Sequence, residues 1–413
     1  MILEKAWKQF NITEQETLHW ISRNKIPIGT EKPPYEYTDG IPEEEIVTIK
    51  FDPISTPMTK RSAFNILVLA GSGDGKSLLA KNLWFYLQKA GFYILYIDPK
   101  SADSGRAKNS WVNNRTAPYT SAEGIKLKHY MPVFATKDYD HLIHHFKIYS
   151  LRLNNITDKQ QWLGLGLTSI AASKISKLVY KDPTINLKKL RKSLLFMKND
   201  DEITTATINA MQSRLVDLED LDYFGTNYKE IDMFNDWKNG NSVCISYNSK
   251  EPILMSFDIG EKIQRAKNYF WKQNNRNPVM VFLDDSSFYA KNFKEQNFNF
   301  SVQEIKNIGF NYRSLGIYNT MMVQSLGIID ENVAETYRIK LISPKFNNPE
   351  GLIKIGIPKA AISMLKNEQL DIDKKHLTMQ WIMIDEHNEI KLFYPFLPPV
   401  NHFNEVYLPR GES

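Results

Sequence analysis

Residues 64–77, Phe-Asn-Ile-Leu-Val-Leu-Ala-Gly-Ser-Gly-Asp-Gly-Lys-Ser, constrain this chain more than any other stretch. An apolar run from Phe64 to Ala70 breaks into a glycine-rich turn, and a helix-competent segment follows from Lys76 to about Lys89. That order predicts a strand, a loop and a helix. Gly71, Gly73 and Gly75 permit backbone conformations closed to residues with a Cβ, so successive N–H groups can converge on a phosphate chain. The helix behind adds its positive N-terminal end. In such a loop Lys76 reaches the β- and γ-phosphates of a nucleotide, and the Ser77 hydroxyl ligates the Mg²⁺ that travels with it. The nucleotide-contacting run is Gly71, Ser72, Gly73, Asp74, Gly75, Lys76, Ser77 and Leu78. Against the usual pattern G-x-x-x-x-G-K-[ST], the first position here is Ala70. Asp74 is an acid inside an anion-binding loop, and its side chain is expected to point to solvent. The bland alternative is a glycine-rich surface turn that happens to precede Lys-Ser; the strand before it and the helix after it argue against that.

The rest of the chain sets bounds. At 413 residues it suggests one large domain with insertions, or two domains. The formal net charge of +5 permits contact with nucleic acid but does not require it. A single cysteine, Cys244, rules out an internal disulfide and a cysteine-based zinc cluster within one chain, so an intracellular, cytoplasmic setting is expected. The N-terminal residues lack the long apolar core of a signal peptide, and no run approaches the length of a membrane span. A membrane role would therefore need a partner.

Along the chain, Leu3 to about Arg23 reads as helix, Ile26 to Pro42 as extended loop, and Ile46 to Phe51 as a strand. Phe92 to Ile97 is β-branched and aromatic, a buried parallel strand ending in Asp98-Pro99-Lys100. With the loop and helix before it, this strand completes a βαβ unit, which places ligands at the carboxyl ends of its strands. From Ser101 to Trp237 the pattern is mostly helical, with no strong strand after Met131 to Phe134. Its middle carries Lys174, Lys177, Lys181, Lys188, Lys189, Arg191, Lys192 and Lys198 against one acid, Asp182. Such a patch could track a phosphate backbone or be a solvated helix face, and the sequence does not choose. His141, His144 and His145 sit at helical spacing, but no further cluster completes a metal site. The division that results is 1–60 as an N-terminal appendage, 61–100 and 238–413 as the core, and 101–237 as a mainly helical insertion.

Strands return at Ser242 to Tyr247, before an amphipathic helix from about Phe257 to Gln273, and then at Val279-Met-Val-Phe-Leu-Asp-Asp285. This last run has no polar side to show to water, and it ends in two carboxylates at the edge where the phosphate loop also ends. Asp284 is placed to hold the Mg²⁺ shell, and Asp285 occupies the place of a base that polarises the attacking water. A helix from about Val302 to Tyr312 leads to Arg313, and the strand Tyr318 to Val323 ends at Gln324. A polar amide there can touch the γ-phosphate or its water; simple capping of the strand end is the alternative. Arg338 to Ile342 reads as a last core strand, and Met379 to Ile384 with Glu389 to Tyr394 as a closing hairpin around Asp385 to Asn388.

Taken in order, these segments resemble the FtsK-HerA superfamily of P-loop ATPases. The match rests on Ala70 to Ser77, Asp98-Pro99-Lys100, the strand-and-helix unit 242–273, Val281 to Asp285, Arg313-Ser-Leu-Gly316, Val323-Gln-Ser325 and Arg338-Ile339. The resemblance implies an α/β fold, a RecA-like P-loop core with a largely parallel sheet, here with a helical insertion and a C-terminal β-hairpin. It implies a hexameric ring that hydrolyses ATP with Mg²⁺ while moving double-stranded DNA, as in viral or plasmid genome packaging or transfer. An arginine from one subunit would complete the next subunit's site, Arg313 first and Arg338 second; Lys76, Asp284, Asp285 and Gln324 would be its other catalytic residues. A capsid, relaxase or membrane-complex partner goes with that reading, by recruitment to a viral portal or a membrane. Two departures stand out: the family usually has Asp-Glu where this chain has Asp284-Asp285, and residues 1–60 look too short for the β-barrel of the archaeal repair members. The competing readings are a type IV secretion-like ATPase acting on protein with a membrane partner, and a non-motor nucleotide switch.

Overall fold

In the computed structural model, the described residues are 14–396, without 34–35, 38–40, 58–59, 100–123, 139–145, 183, 197–203, 226, 248–250, 273–276, 286–299, 327–330, 347, 368 and 374–377. Lys100, Lys198 and the three closely spaced histidines lie outside them. The strands are β1 (Lys25–Thr30), β2 (Ile46–Lys50), β3 (Ile66–Leu69), β4 (Tyr93–Asp98), β5 (Leu127–Pro132), β6 (Lys147–Tyr149) and β7 (Ser242–Ser246). There follow β8 (Val279–Leu283), β9 (Ile317–Val323), β10 (Ile339–Ile342), β11 (Ile372–Asp373), β12 (Thr378–Met379), β13 (Trp381–Ile384) and β14 (Ile390–Pro395).

Apart from the short pair β11–β12, the strands form one 12-stranded sheet in the order β2-β1-β14-β13-β10-β3-β9-β8-β4-β7-β5-β6. From β10 to β6 every pairing is parallel, whereas β13, β14, β1 and β2 join antiparallel. The architecture is therefore the expected α/β one, with a largely parallel sheet, helices on it and the C-terminal hairpin β13–β14 added to its edge. Central strands β3, β7, β8 and β9 are buried at every residue because both faces are covered, which is why they read as continuous apolar runs without alternation. One face packs Leu67, Leu95, Val281 and Met321 against the helices Pro252–Lys272 and Phe300–Phe310. The other packs Val68, Tyr96, Phe282 and Met322 against the helix Lys76–Lys89.

That helix is itself covered by the N-terminal stretch, and Asn82 donates from Nδ2 to the Pro27 carbonyl at 2.9 Å. Lys25–Thr30 is a strand where the sequence suggested loop. Pro27 and Gly29 disguise it: the register with β2 shifts between them, and a Cβ on Gly29 would lie 2.2 Å from the Tyr394 carbonyl oxygen of β14. Only glycine allows that approach. The stretch 101–237 contributes two strands, β5 and β6, to the same sheet, and the helices Lys159–Gly164, Ser169–Lys181, Leu187–Leu195, Thr205–Asp220 and Met233–Lys238. The short β6 escaped notice because three residues carry too little pattern.

A buried polar cluster fastens these helices to the core. Asp258, on the helix Pro252–Lys272, is fully enclosed and accepts hydrogen bonds from the hydroxyls of Tyr149, Tyr223 (2.5 Å) and Tyr247 (2.7 Å). Lys262 Nζ lies 2.8 Å from Asp258 and 2.6 Å from Glu261, which in turn pairs with Arg265 at 2.6 Å. Burial opposes the Asp258 charge, but the Lys262 ammonium and the tyrosine hydroxyls outweigh it and hold the carboxyl below its ordinary 3.8. Because the folded value is the depressed one, the stabilisation is present above the unfolded pKa and is lost as pH falls through the folded one. Asp258→Asn breaks a buried pair, so it is expected to cost about 3–5 kcal/mol in urea unfolding at neutral pH. The gap from the wild type should narrow as the pH drops below the ordinary aspartate range, and a pH-independent gap would contradict this account.

Candidate nucleotide site

The phosphate loop leaves β3 at Leu69 and enters the helix Lys76–Lys89 at Gly75. Gly73 and Gly75 have φ of +80° and +92°, a backbone that side-chain-bearing residues rarely adopt. Gly73 is exposed and nothing lies within 4 Å of where its Cβ would stand, so its positive φ rather than crowding favours glycine there. Lys76 is buried and donates from Nζ to the carbonyls of Ala70 at 3.0 Å and Gly71 at 2.8 Å. Ser72 is exposed, while Ser77 and Leu78 are half-buried at the start of the helix.

Asp74 corrects the expectation that its side chain faces solvent. It is only 4% exposed. Its Oδ2 accepts from the Gly71 N–H at 2.8 Å and from the Ser343 hydroxyl at 2.6 Å, and Lys345 Nζ stands 3.3 Å from Oδ1. The side chain turns inward because these donors offer it more than water does at that point of the loop.

Parallel pairing carries the remaining groups to the same edge. β8 ends in Asp284, and Ser77 Oγ lies 3.3 Å from its Oδ2. Tyr96, on β4, donates to the same oxygen at 3.1 Å. Its ring is sandwiched between Trp84 of the loop helix, with centroids 4.6 Å apart, and Phe282 at 5.5 Å, so helix packing fixes the hydroxyl that meets the carboxylate. Burial pushes the Asp284 carboxyl above its ordinary value; the Tyr96 hydrogen bond works against that rise, and the neighbouring Asp285 charge adds to it. Asp285 is buried with φ of +44°, a left-handed turn that takes the chain off the strand. Gln324, at the end of β9, donates from Nε2 to Asp285 Oδ2 at 3.0 Å. Asp98, buried at the end of β4, lies on this edge too.

Lys76, Ser77, Asp284, Asp285 and Gln324 are thus brought together. The two arginines are not. Arg313 precedes β9 and Arg338 precedes β10, both exposed at the amino edge of the sheet. The seven-residue β9 alone spans about 20 Å, beyond an arginine's reach to the phosphate loop of its own chain. Tyr96, Ser343 and Lys345 escaped the sequence reading; Tyr96 sits in an apolar run and the other two beyond a strand end, with no spacing signal to mark them. Among the basic residues of 174–198, Lys177, Lys181, Lys188, Lys189 and Lys192 are exposed, and Arg191 pairs with Glu219 at 2.7 Å. No cluster of metal-ligating side chains occurs among the described residues.

The residues present fit a nucleotide with its divalent cation. A glycine-formed cradle, a buried lysine and a hydroxyl converging with a carboxylate make the donor set that such a group needs.

No protein-family model and no curated protein sequence matches the chain. Solved structures do. VirB4 of Thermoanaerobacter pseudethanolicus superposes with a TM-score of 0.56 at 12% identity, over 90% of this chain and 96% of that one. The bacterial conjugative coupling protein TrwB gives 0.47 at 11% identity, over 82% and 85%. The genome packaging NTPase B204 from Sulfolobus turreted icosahedral virus 2 gives 0.37 at 9%, over 81% and 98%. At 12% identity the VirB4 match shows a shared fold, and the α/β architecture expected from the motifs holds at that level.

Proposed function

We propose that this chain is an ATP-driven motor that moves double-stranded DNA, in viral or plasmid genome packaging or transfer, and that it hydrolyses ATP at the subunit interfaces of a ring, a hexamer in the family it resembles. The observation that carries the reading is the separation of charges. The groups able to bind and activate sit at the carboxyl edge, while the exposed arginines able to complete such a site sit at the opposite edge of the same subunit.

In this reading Gly71 to Leu78 cradle the phosphates, and Lys76 exchanges its loop carbonyls for β- and γ-phosphate oxygens. Ser77 and Asp284 would hold Mg²⁺, which when bound neutralises phosphate charge. Asp285 takes the proton of the attacking water, and Gln324, bonded to the same carboxylate, fixes its direction. Aspartate is a methylene shorter than the usual glutamate here, so the base needs this second anchor to be correctly placed. Arg313 of a neighbouring subunit, or Arg338, stabilises charge developing on the γ-phosphate. We place residues 61–100 and 238–413 as the ATPase core, 1–60 as its appendage and 101–237 as the insertion.

The alternative, a secretion-like ATPase acting on protein with a membrane partner, shares this chemistry. No helix among the described residues is long and apolar enough to cross a membrane. A capsid, relaxase or membrane complex would then supply the docking point, with the rest of the ring in the cytoplasm.

Steady-state ATP hydrolysis by the purified chain decides between them. Stimulation by long duplex DNA that fades steeply with salt is the expected outcome, since phosphate neutralisation releases counterions; turnover indifferent to DNA would select the secretion reading. Arg313→Ala should retain nucleotide binding and lose about a thousandfold or more in turnover. Mixing it with Lys76→Ala should restore part of the activity if the site is shared between subunits. The raised Asp284 carboxyl must ionise before it can hold a cation, so at limiting Mg²⁺ activity should fall on the acid side at a higher pH than an ordinary aspartate would give, and added Mg²⁺ should lower that limb. Tyr96→Phe removes a donor to the ionised form and should move that acid limb higher still; an unmoved limb would argue against Asp284 as the titrating ligand.

A further inference from the structure

We propose that Asp74 is a positioning residue whose carboxylate, braced by Ser343 and Lys345, sets the shape of the phosphate loop. The proposal rests on the nucleotide-binding reading of the loop and goes beyond it in assigning the loop's shape to a contact with the end of β10. A phosphate loop without phosphate is a poor structure by itself: its amides converge and have no anion to accept their hydrogen bonds. Here the first of these amides, Gly71 N–H, has an acceptor, Asp74 Oδ2 at 2.8 Å. The same oxygen accepts the Ser343 hydroxyl at 2.6 Å, and the Ser343 N–H donates to the Leu69 carbonyl at 2.8 Å. The residue just past β10 is therefore bonded to the last residue of β3 and to the middle of the loop that follows it.

The cost of burying the charge shows how firmly the brace is built. The Asp74 side chain is 1% exposed, a position a carboxylate occupies only when it is paired. Its Oδ1 accepts no hydrogen bond and faces the Lys345 ammonium at 3.3 Å. Lys345 is half exposed, so it supplies the counter-charge from the solvent side and keeps Asp74 from acting as a bare anion beside the phosphates. A Cβ on Gly71 would come to 3.0 Å from Asp74 Oδ2, so the brace also explains why this position is glycine although its φ is not positive.

The test is titration of the full-length purified chain with the fluorescent nucleotide mant-ADP. Asp74→Ala and Ser343→Ala should each weaken binding, Asp74→Ala by about tenfold or more, as expected for loss of charge-assisted hydrogen bonds. Asp74→Asn keeps an oxygen for Gly71 N–H and Ser343 and should bind within about threefold of the wild type, given that factor's small free-energy equivalent. The Asp74→Ala, Ser343→Ala double variant should be no weaker than Asp74→Ala alone, because both act through one contact. A merely structural role would lower the thermal midpoint without that non-additivity in affinity and without rescue by asparagine. Wild-type affinity in both alanine variants, with the wild-type chain binding mant-ADP, would overturn the brace alone. Failure of the wild-type chain to bind mant-ADP would overturn the nucleotide reading and the brace with it.

Discussion

The phosphate loop springs from a strand that is held on both sides at its last residue. The Leu69 carbonyl accepts from Ser343 N–H, and Ala70 N–H donates at 3.1 Å to the Val323 carbonyl. β3 is thereby clamped between β10 and β9 where its hydrogen-bonding pattern stops, and the loop begins from a fixed base. Everything at the site follows from the strands on either side running the same way. In a parallel sheet all carboxyl ends fall on one edge, so residues as far apart in sequence as Asp98, Asp284, Gln324 and Ser343 are delivered to one line. An antiparallel arrangement would send alternate strand ends away. The antiparallel strands β13, β14, β1 and β2 are all on one side of β10, where they extend and cover the sheet and contribute none of the site residues named here.

The cost of that arrangement is a set of buried carboxylates, and the molecule meets it in different ways. Asp258 takes no part in the loop's hydrogen bonds and is satisfied outright: three tyrosine hydroxyls and a lysine surround it, and its charge is stabilised. Asp284 is treated differently. It has the Tyr96 hydroxyl and the weaker Ser77 contact, and burial leaves its carboxyl raised. Under the proposed function Asp284 would hold a cation, whereas Asp258 is a structural carboxylate held by fixed donors. The opposite shifts of these two aspartates are what a fastening and, under the proposed function, a binding group would show.

Much of this was legible in the chain itself. The strand, glycine turn and helix at 64–89 could be read because local pattern and turn chemistry agree there, and the helix bounds Lys76–Lys89 are those the sequence suggested. Asp284, Asp285 and Gln324 could be found because each follows a fully buried strand, which announces itself as an apolar run. What stayed hidden was set by distant partners. Lys25–Thr30 reads as loop because of Pro27 and Gly29, and is a strand because it pairs with β2 on one side and with β14, which approaches closely at Gly29, on the other. An acid in an anion site suggests repulsion and a solvent-facing side chain, whereas the direction Asp74 takes depends on Ser343 and Lys345, some 270 residues on. Tyr96 was invisible for a different reason: in a run of buried aromatic and β-branched residues, a tyrosine chosen for its hydroxyl looks like one chosen for its ring.

The charge balance of the carboxyl edge makes a single subunit insufficient under the proposed function. Among the described residues, the carboxylates Asp74, Asp98, Asp284 and Asp285 lie at this edge, with the ammonium groups of Lys76 and Lys345. One of the two ammoniums, Lys345, is already engaged by Asp74. A triphosphate carries several negative charges of its own, and in a partly desolvated cleft such an excess of anions is strongly repulsive. Under the proposed function, cations brought from outside would offset this repulsion. A divalent ion between Ser77 and Asp284 supplies one source. A second source is an arginine that the chain's own geometry keeps a full strand length away, and which only another copy of the chain, or a partner protein, can bring to the edge that needs it. Under the proposed function, coupling between subunits would follow from the same electrostatics, because the arginine that offsets the charge would belong to a neighbour.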